Sequence, residues 1–272
     1  MRGEEPMIDI LGTKFVVDVM RMLLYQQRSP LNVIYFSNME NMGTHYRFEY
    51  DTDRKAMPLE LQQDRENVKV VKIPPLNVLD PEGMSLKYGV PLNEVMQRDD
   101  LSFLIGAEDY IWLRQLLGGT LPTIDLAGDR FEIDLEGNRL LVAETRAGST
   151  SLNLLERDVT GFYLLGYYHK TGKQLVKIPE DCSLLPVEVL PIKIPYAMNL
   201  DSVGASRKEY KTDLGFLKYY SISPKHQTAE ILSAPQMKNM LAISRKMTKV
   251  ARDLNIKYGF EKPAKRHGKR LK

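Results

Sequence analysis

The stretch IDILGTKFVVD, residues 8–18, returns as IDLAGDRFEID at residues 124–134. In the second copy, apolar and polar residues alternate after the glycine, which is the two-residue period of a half-buried strand. Gly12 and Gly128 lie where the chain must reverse, and glycine supplies the backbone freedom that a tight turn needs. Each copy is therefore predicted to form a hairpin.

Further landmarks recur in the same order after each hairpin. Their spacing rises from 116 to 118 and then to 121 residues, so that two small insertions account for the drift. Insertions in polar connecting stretches cost little stability. We therefore predict an internal duplication with units at roughly residues 7–89 and 122–210. The matching pairs are Gly43 and Gly161, Tyr50 and Tyr168, Lys55 and Lys173, Ile73 and Ile194, and Asp80 and Asp201.

Each unit is predicted to contain the same elements after its first hairpin. A segment of mixed periodicity is followed by a second hairpin and by an apolar strand that ends at a proline, as edge strands often do. The mixed segment, residues 32–42 or 151–159, fits either a strand or a short helix. The second hairpin turns at residues 51–53 or 170–172, and the apolar strand covers residues 68–73 or 187–194.

An Asp-x-x-Gly motif closes each unit, at Asp80 and at Asp201. The aspartate fits two structures, the cap of a short helix and the start of a type I turn. If a helix begins here, the Gly-x-Ser-x-Lys motif would lie in its first turns, where free backbone amides can bind an anion. The aspartate carboxylate would compete with an anion for these amides. The weak candidates for an anion site are Gly83, Ser85, Lys87, Gly204, Ser206 and Lys208.

Residues 91–120 are predicted to form a helical connection between the units. Asn93 is expected to cap a short helix, and a second helix is expected from about Ala107, ending at Gly118 and Gly119. Trp112, the single tryptophan, is interpreted as a packing residue, with a stacking platform for a ligand as the alternative.

A long amphipathic helix is predicted after Ser233, a cap residue followed by Pro235 in the first turn. Apolar residues recur at spacings of three and four, and basic residues occupy other faces. We expect this stripe to dock on the body, and a short coiled coil or a partner-binding and self-association helix remains the alternative. The stripe comprises Met240, Ile243, Met247, Val250 and Leu254.

The carboxy-terminal end is strongly basic, because residues 245–272 contain eleven Lys or Arg and two acidic residues while the whole chain has a net charge of +3. Residues 259–272 have too little apolar content to fold alone and are expected to be a mobile arm. Such arms attract nucleic acid or acidic protein surfaces, partly by releasing condensed counterions. The predicted contact residues are Arg245, Lys246, Lys249, Arg252, Lys262, Lys265, Arg266, Lys269 and Arg270.

The sequence offers no catalytic, metal or cofactor motif. The aspartates of the repeated hairpin are expected on its solvent face, the four histidines lack ligand spacing, and neither a Rossmann nor a P-loop pattern occurs. The single Cys182 excludes an internal disulfide. Aromatic residues interleaved with Arg47, Lys170 and Lys173 fit a core strand, with single-stranded nucleic acid as the alternative ligand.

The predicted fold is α+β. Its segments are a first β-rich repeat (1–90), a helical linker (91–121), a second β-rich repeat (122–210), a segment with an amphipathic helix (211–258) and a basic arm (259–272). No secretory signal and no apolar run of about 20 residues is present, so a cytoplasmic location is expected. The predicted function is non-enzymatic binding through the basic end. The alternatives are a structural assembly protein and, third, an enzyme with a site between the repeats.

Overall fold

The structure is a computed structural model that describes residues 5–59, 65–145, 148–179, 182 and 184–257. It has a mixed α+β fold with four β-sheets and helices between them. Contacts divide the chain into two compact units, each made of two segments. The first unit contains residues 1–122 and 197–225, and the second contains residues 123–196 and 226–272. These boundaries differ from those of the segments predicted from the sequence.

The first unit contains two antiparallel sheets, one with four strands and one with three. A 3₁₀ turn at Phe36–Asn38 links them. The first sheet consists of β1 (Met7–Ile10), β2 (Thr13–Asp18), β3 (Leu23–Gln26) and β4 (Ser29–Tyr35). The second consists of β5 (Glu40–Asn41), β6 (Tyr46–Asp51) and β7 (Val68–Ile73).

The helices of the first unit come from two separate parts of the chain. The first five are α1 (Leu76–Leu79), α2 (Pro81–Tyr88), α3 (Leu92–Val95), α4 (Leu101–Leu104) and α5 (Ala107–Leu117). The other two are α6 (Ala197–Leu200) and α7 (Ser202–Tyr210), and a 3₁₀ helix follows at Gly215–Lys218. The prediction of a second helix from about Ala107 is confirmed, whereas Asn93 lies inside α3 and does not cap it.

The second unit also contains two sheets, each with five strands. The first has the order β11-β10-β9-β8-β16, and the second contains β12, β13, β14, β15 and β17. The strands of the first are β8 (Thr123–Leu126), β9 (Asp129–Asp134), β10 (Arg139–Val142), β11 (Ser149–Ser151) and β16 (His226–Thr228). Those of the second are β12 (Glu156–Arg157), β13 (Tyr163–His169), β14 (Gln174–Val176), β15 (Val189–Pro195) and β17 (Glu230–Ile231). A 3₁₀ helix spans Leu152–Leu154, and the unit ends with α8 (Ala234–Lys257).

Both repeated stretches form the predicted hairpins, in the same register. Ile8 lies opposite Phe15 in the first, and Ile124 lies opposite Phe131 in the second. Gly12 has a φ of 85° and Gly128 a φ of 96°, so both occupy the left-handed region that a tight turn requires. Both phenylalanines are fully buried, which shows that the alternation directs one face of each hairpin into the core.

The second predicted hairpin forms in one unit only. In the second unit, β13 and β14 pair around the turn at residues 170–173, as expected. In the first unit, the chain turns after Asp51, but it returns only as an isolated bridge to Ala56. A hairpin needs a returning strand, and among the described residues only the bridge at Ala56 takes the place that β14 has in the second unit.

Burial confirms the expected core role of most strand aromatics and of Trp112, but Tyr163 of β13 is 38% exposed and does not belong to the core. Tyr46, Phe48 and Tyr50 lie in the core of the first unit, where Phe15 makes an edge-on contact with Tyr50. Trp112 is buried in α5, and its indole N–H donates to the carbonyl oxygen of Ser223 at 2.7 Å. A buried indole needs such an acceptor.

Candidate nucleic-acid interface

Helix α8 carries the candidate interface, and its start is fixed by a capping box. The Ser233 hydroxyl accepts a hydrogen bond from the Gln236 N–H at 3.4 Å, and the Gln236 side chain accepts from the Ser233 N–H at 2.9 Å. Two otherwise unsatisfied backbone donors are thus paired, as the Ser-x-x-Gln spacing requires. The predicted helix start is therefore confirmed.

The face of α8 that docks on the second unit differs from the predicted stripe. Met237 and Leu241 are buried, and they pack in one cluster with Leu165 of β13 and with Leu232. Ser244 continues this buried face one turn later. The side of α8 that is buried against the second unit is therefore the one with residues 237, 241 and 244.

The apolar stripe predicted to dock is instead largely exposed. Ile243 is 44% exposed, Met247 50% and Val250 42%, while Met240 is half-buried at the border of the docked face. The side chain of Leu254 lies outside the described part of the helix. The prediction that this stripe holds α8 on the body is wrong for these three residues, because their row lies beside the docked row on the helix surface.

An ion pair fastens the middle of α8 to the sheet beneath it. The Arg245 guanidinium donates from Nε to Glu156 Oε2 at 2.9 Å and from Nη2 to Oε1 at 2.5 Å. The hydrogen bond from Arg245 is the main cause that lowers the pKa of the Glu156 carboxyl. Such a bidentate pair fixes the guanidinium in one orientation. Arg245, a predicted nucleic-acid contact, is thus engaged within the second unit.

The solvent face of α8 is basic. Lys238, Lys246 and Lys249 are exposed, and the helix as a whole contains six basic residues against the single acid Asp253. The side chain of Arg252 lies outside the described residues, as do Lys262, Lys265, Arg266, Lys269 and Arg270 with the rest of the predicted arm. Within the described residues, the structure therefore presents exposed lysines along α8 from position 238 to position 249.

A cleft of about 450 Å³ lies between α8 and strands β12 to β14 of the second unit. Its floor includes Leu165 and Gly166 of β13, and burial raises the pKa of Tyr167 in its wall. The charged groups among its described lining residues are Glu156, Lys177, Lys238 and Arg245. Glu156 and Lys177 are not among the residues predicted from the sequence, because only the docking of α8 brings them beside the helix.

No protein-family model, no curated protein and no solved structure matches this chain.

The two Gly-x-Ser-x-Lys motifs are part of capped helices. Asp80 accepts from the Gly83 N–H at 2.7 Å, and Asp201 accepts from the Gly204 N–H at 3.0 Å, which resolves both motifs as helix caps. In the first motif, Ser85 donates to the carbonyl of Val90, and the Lys87 ammonium donates to the carbonyls of Val19 and Met20. In the second, Ser206 is fully buried, and Lys208 lies in the last turn of α7. In both motifs, the aspartate carboxylate is already hydrogen-bonded to the backbone N–H that an anion would need.

The aspartates of the repeated hairpins cap turns. Asp9 accepts from the Gly12 N–H and Asp125 from the Gly128 N–H, each at 2.7 Å. In the next turn of each unit, Asp18 accepts a hydrogen bond from the Arg21 N–H, and Asp134 accepts one from the Gly137 N–H. Side-chain carboxylates satisfy turn amides in this way. Among the described residues, no group of three or more His, Cys, Asp or Glu side chains is placed to hold a metal ion.

Two of the described histidines contact residues nearby in the chain, and the third contacts a residue of the adjacent strand. His45 contacts Thr44, His226 contacts Thr123, and the His169 ring nitrogen accepts from the Gly172 N–H. His267 lies outside the described residues. In the part of the chain that the structure describes, no helix is long and apolar enough to cross a lipid bilayer.

Proposed function

We propose that this chain is a binding protein whose basic carboxy-terminal end, residues 245–272, contacts nucleic acid. The observation that carries the proposal is helix α8, which is fixed to the second unit along one row and presents Lys246 and Lys249 to solvent. Eleven Lys or Arg against two acids in residues 245–272 extend this charge to the end of the chain.

Anchoring gives the basic residues a defined place from which to act. The Arg245–Glu156 pair and the buried Leu241 hold the helix, so that lysines beyond them project from a fixed base. Neutralising backbone phosphates with lysine releases counterions, and this effect is independent of base sequence. The proposed contact is therefore with the phosphate backbone and tolerates many sequences.

Fluorescence anisotropy with mixed DNA and RNA oligonucleotides, at low and moderate salt, tests the proposal. Substituting Lys246 and Lys249 by Gln should weaken binding to every oligonucleotide and reduce the salt slope by roughly 0.9 for each phosphate that is no longer neutralised. Neutralising Lys265, Arg266, Lys269 and Arg270 should have a larger effect of the same kind. A matched control replaces Lys14 and Lys69, two exposed lysines of the first unit, by Gln.

Binding that survives both sets of substitutions would refute the proposal. So would an equal weakening in the control, since that would show a dependence on net charge alone. If oligonucleotides do not bind but an acidic protein does, the basic end serves a protein partner instead.

A second candidate function is assembly through α8, and the exposed stripe favours it. Ile243, Met247 and Val250 form an apolar row that the second unit leaves open. Apolar residues at spacings of three and four are typical of helix pairing. Multi-angle light scattering of the full chain tests this candidate: a concentration-dependent dimer abolished by Met247→Lys supports it, and a strict monomer contradicts it.

We also propose that the two halves arose by duplication. The strand and helix order from β1 to α2 recurs from β8 to α7, with β14 added. The registers agree as well: Leu24 lies opposite Ile34, and Leu140 lies opposite Thr150, 116 residues later. Shared register over several strands supports descent from one ancestral unit.

A further inference from the structure

One short segment adds a strand to one edge of each sheet in the second unit. Strand β16 adds in parallel to β8, and β17, which follows after Ala229, adds antiparallel to β15. An edge strand exposes unpaired backbone N–H and C=O groups, and an added strand satisfies them. The segment at residues 226–232 therefore extends each sheet of this unit by one strand.

The contacts of β17 show which side chains this edge accepts. Glu230 lies opposite Lys193, and their side chains form an ion pair at 2.7 Å. Ile231 lies opposite Ile192, and the Leu232 N–H donates to the carbonyl of Pro191 at 2.9 Å. An acidic residue followed by two apolar residues thus pairs with β15.

Strand β7 of the first unit has the same register as β15, but the described residues provide no added strand beside it. Lys72 of β7 lies opposite Arg47 of β6. The matching lysine of β15, Lys193, lies opposite Leu165 of β13, and Leu165 matches Arg47 in position. Among the described residues, no strand pairs with the far edge of β7. Val70, which takes the place of Pro191, is 64% exposed.

The charge on this edge also lacks a partner within the described part of the chain. Lys72 is exposed and has no ion-pair partner among the described residues, whereas the equivalent Lys193 is paired with Glu230. Lys69, three positions earlier on the same strand, is exposed as well. Opposite charges across a strand pair stabilise it, and like charges destabilise it.

We propose that the open edge of β7 binds an extended segment of a partner protein, which adds as an antiparallel strand. The segment places an acidic residue opposite Lys72 and apolar residues opposite Val71 and Val70, as β17 does on β15. Main-chain hydrogen bonds supply the attachment, and the side-chain pairs select the partner. This site is separate from α8 and does not depend on nucleic-acid binding.

A second copy of β7 is a poor occupant of this edge. Two such strands side by side would bring the lysines at positions 69 and 72 of both copies into one small area. Lysine on an edge strand is a common protection against pairing with itself. The same lysines attract an acidic segment, so the charge both excludes a copy and selects the partner.

The probe for this site is the capped peptide TAEILS, the sequence of residues 228–233. Added to the isotopically labelled full chain at millimolar concentration, it should shift the amide resonances of Val68–Ile73 in a saturable way. Lys72→Glu should weaken binding by roughly three- to tenfold, because an attractive pair becomes repulsive. The peptide TAKILS should restore binding to this variant.

Lys69→Glu is the matched control. It makes the same charge change on the same strand, but at a position that does not face the glutamate of the peptide. It should change the affinity less than twofold. The proposal is overturned if the β7 amides do not respond, if the shifts fall on β15 instead, or if the two variants weaken binding equally. It is also overturned if TAKILS fails to rescue Lys72→Glu while that variant stays folded by circular dichroism.

Discussion

Asp100 is a buried carboxylate that holds the start of helix α1. Its two oxygens accept from the Leu76 N–H at 2.5 Å and from the Asn77 N–H at 2.9 Å. This helix has no capping side chain of its own, so a residue 24 positions later supplies the acceptors. Burial is the main cause that raises the pKa of Asp100, and the two amides act against it.

The raised pKa predicts a specific pH dependence of stability. Between the ordinary value of 3.8 and the raised one, the folded chain binds more protons at Asp100 than the unfolded chain, so its contribution to stability falls as pH rises. The stability advantage of the wild type over Asp100→Asn should therefore grow on acidification from neutral pH. Urea unfolding at several pH values measures this, and an advantage that shrinks on acidification would contradict it.

Tyr50 and Tyr168, which lie 118 residues apart and are both buried in a strand, differ in what their hydroxyl groups contact. The Tyr168 hydroxyl donates to Asp129 Oδ2 at 2.7 Å, and Lys173 pairs with the other oxygen at 2.9 Å. The Tyr50 hydroxyl is buried without a hydrogen bond of good geometry among the described residues, and Thr13 is its polar neighbour.

Tyr168→Phe should therefore cost about 1–3 kcal/mol, and Tyr50→Phe should cost well under about 1 kcal/mol, because only the first removes a bond to a charged acceptor. The free energy of urea unfolding compares the two variants directly. Equal costs would show that ring packing decides both positions.

Substitutions in helix α8 distinguish its buried row from its exposed row by their effect on stability. Leu241 is 6% exposed and packs on Leu165 and Leu232, whereas Ile243 on the same helix is 44% exposed. Leu241→Ala should cost about 2–4 kcal/mol, since it leaves a cavity, and Ile243→Ala should cost under about 1 kcal/mol. Thermal unfolding followed by circular dichroism measures both. A larger destabilisation by Ile243→Ala would mean that the other row docks.

Across the molecule as a whole, the chain passes between its two compact units more than once. Helices α6 and α7 follow directly on β15 of the second unit, yet they belong with the first. The segment from β16 to α8 then returns to the second unit. Each compact unit therefore depends on a segment that is distant in sequence, and no single cut in the chain separates the two units.

Features that depend on neighbouring residues could be predicted from the order of the amino acids. The repeated hairpins and their turn glycines, the caps at Asp80 and Asp201, and the start of α8 at Ser233 all depend on contacts within a few positions. In these turns and caps, the residue types in the sequence are those that the local backbone conformation requires. The basic character of the carboxy-terminal end follows from composition in the same direct way.

Features that depend on distant partners became visible only in the folded chain. Helix α8 carries two candidate rows, and the partners Leu165 and Leu232, rather than hydrophobicity alone, selected the row that contains Leu241. The assignment of α6 and α7 to the first unit and the addition of β17 to β15 depend on long-range pairing in the same way. Hydrophobic periodicity shows that a face must be buried, but it carries no information about which distant surface will bury it.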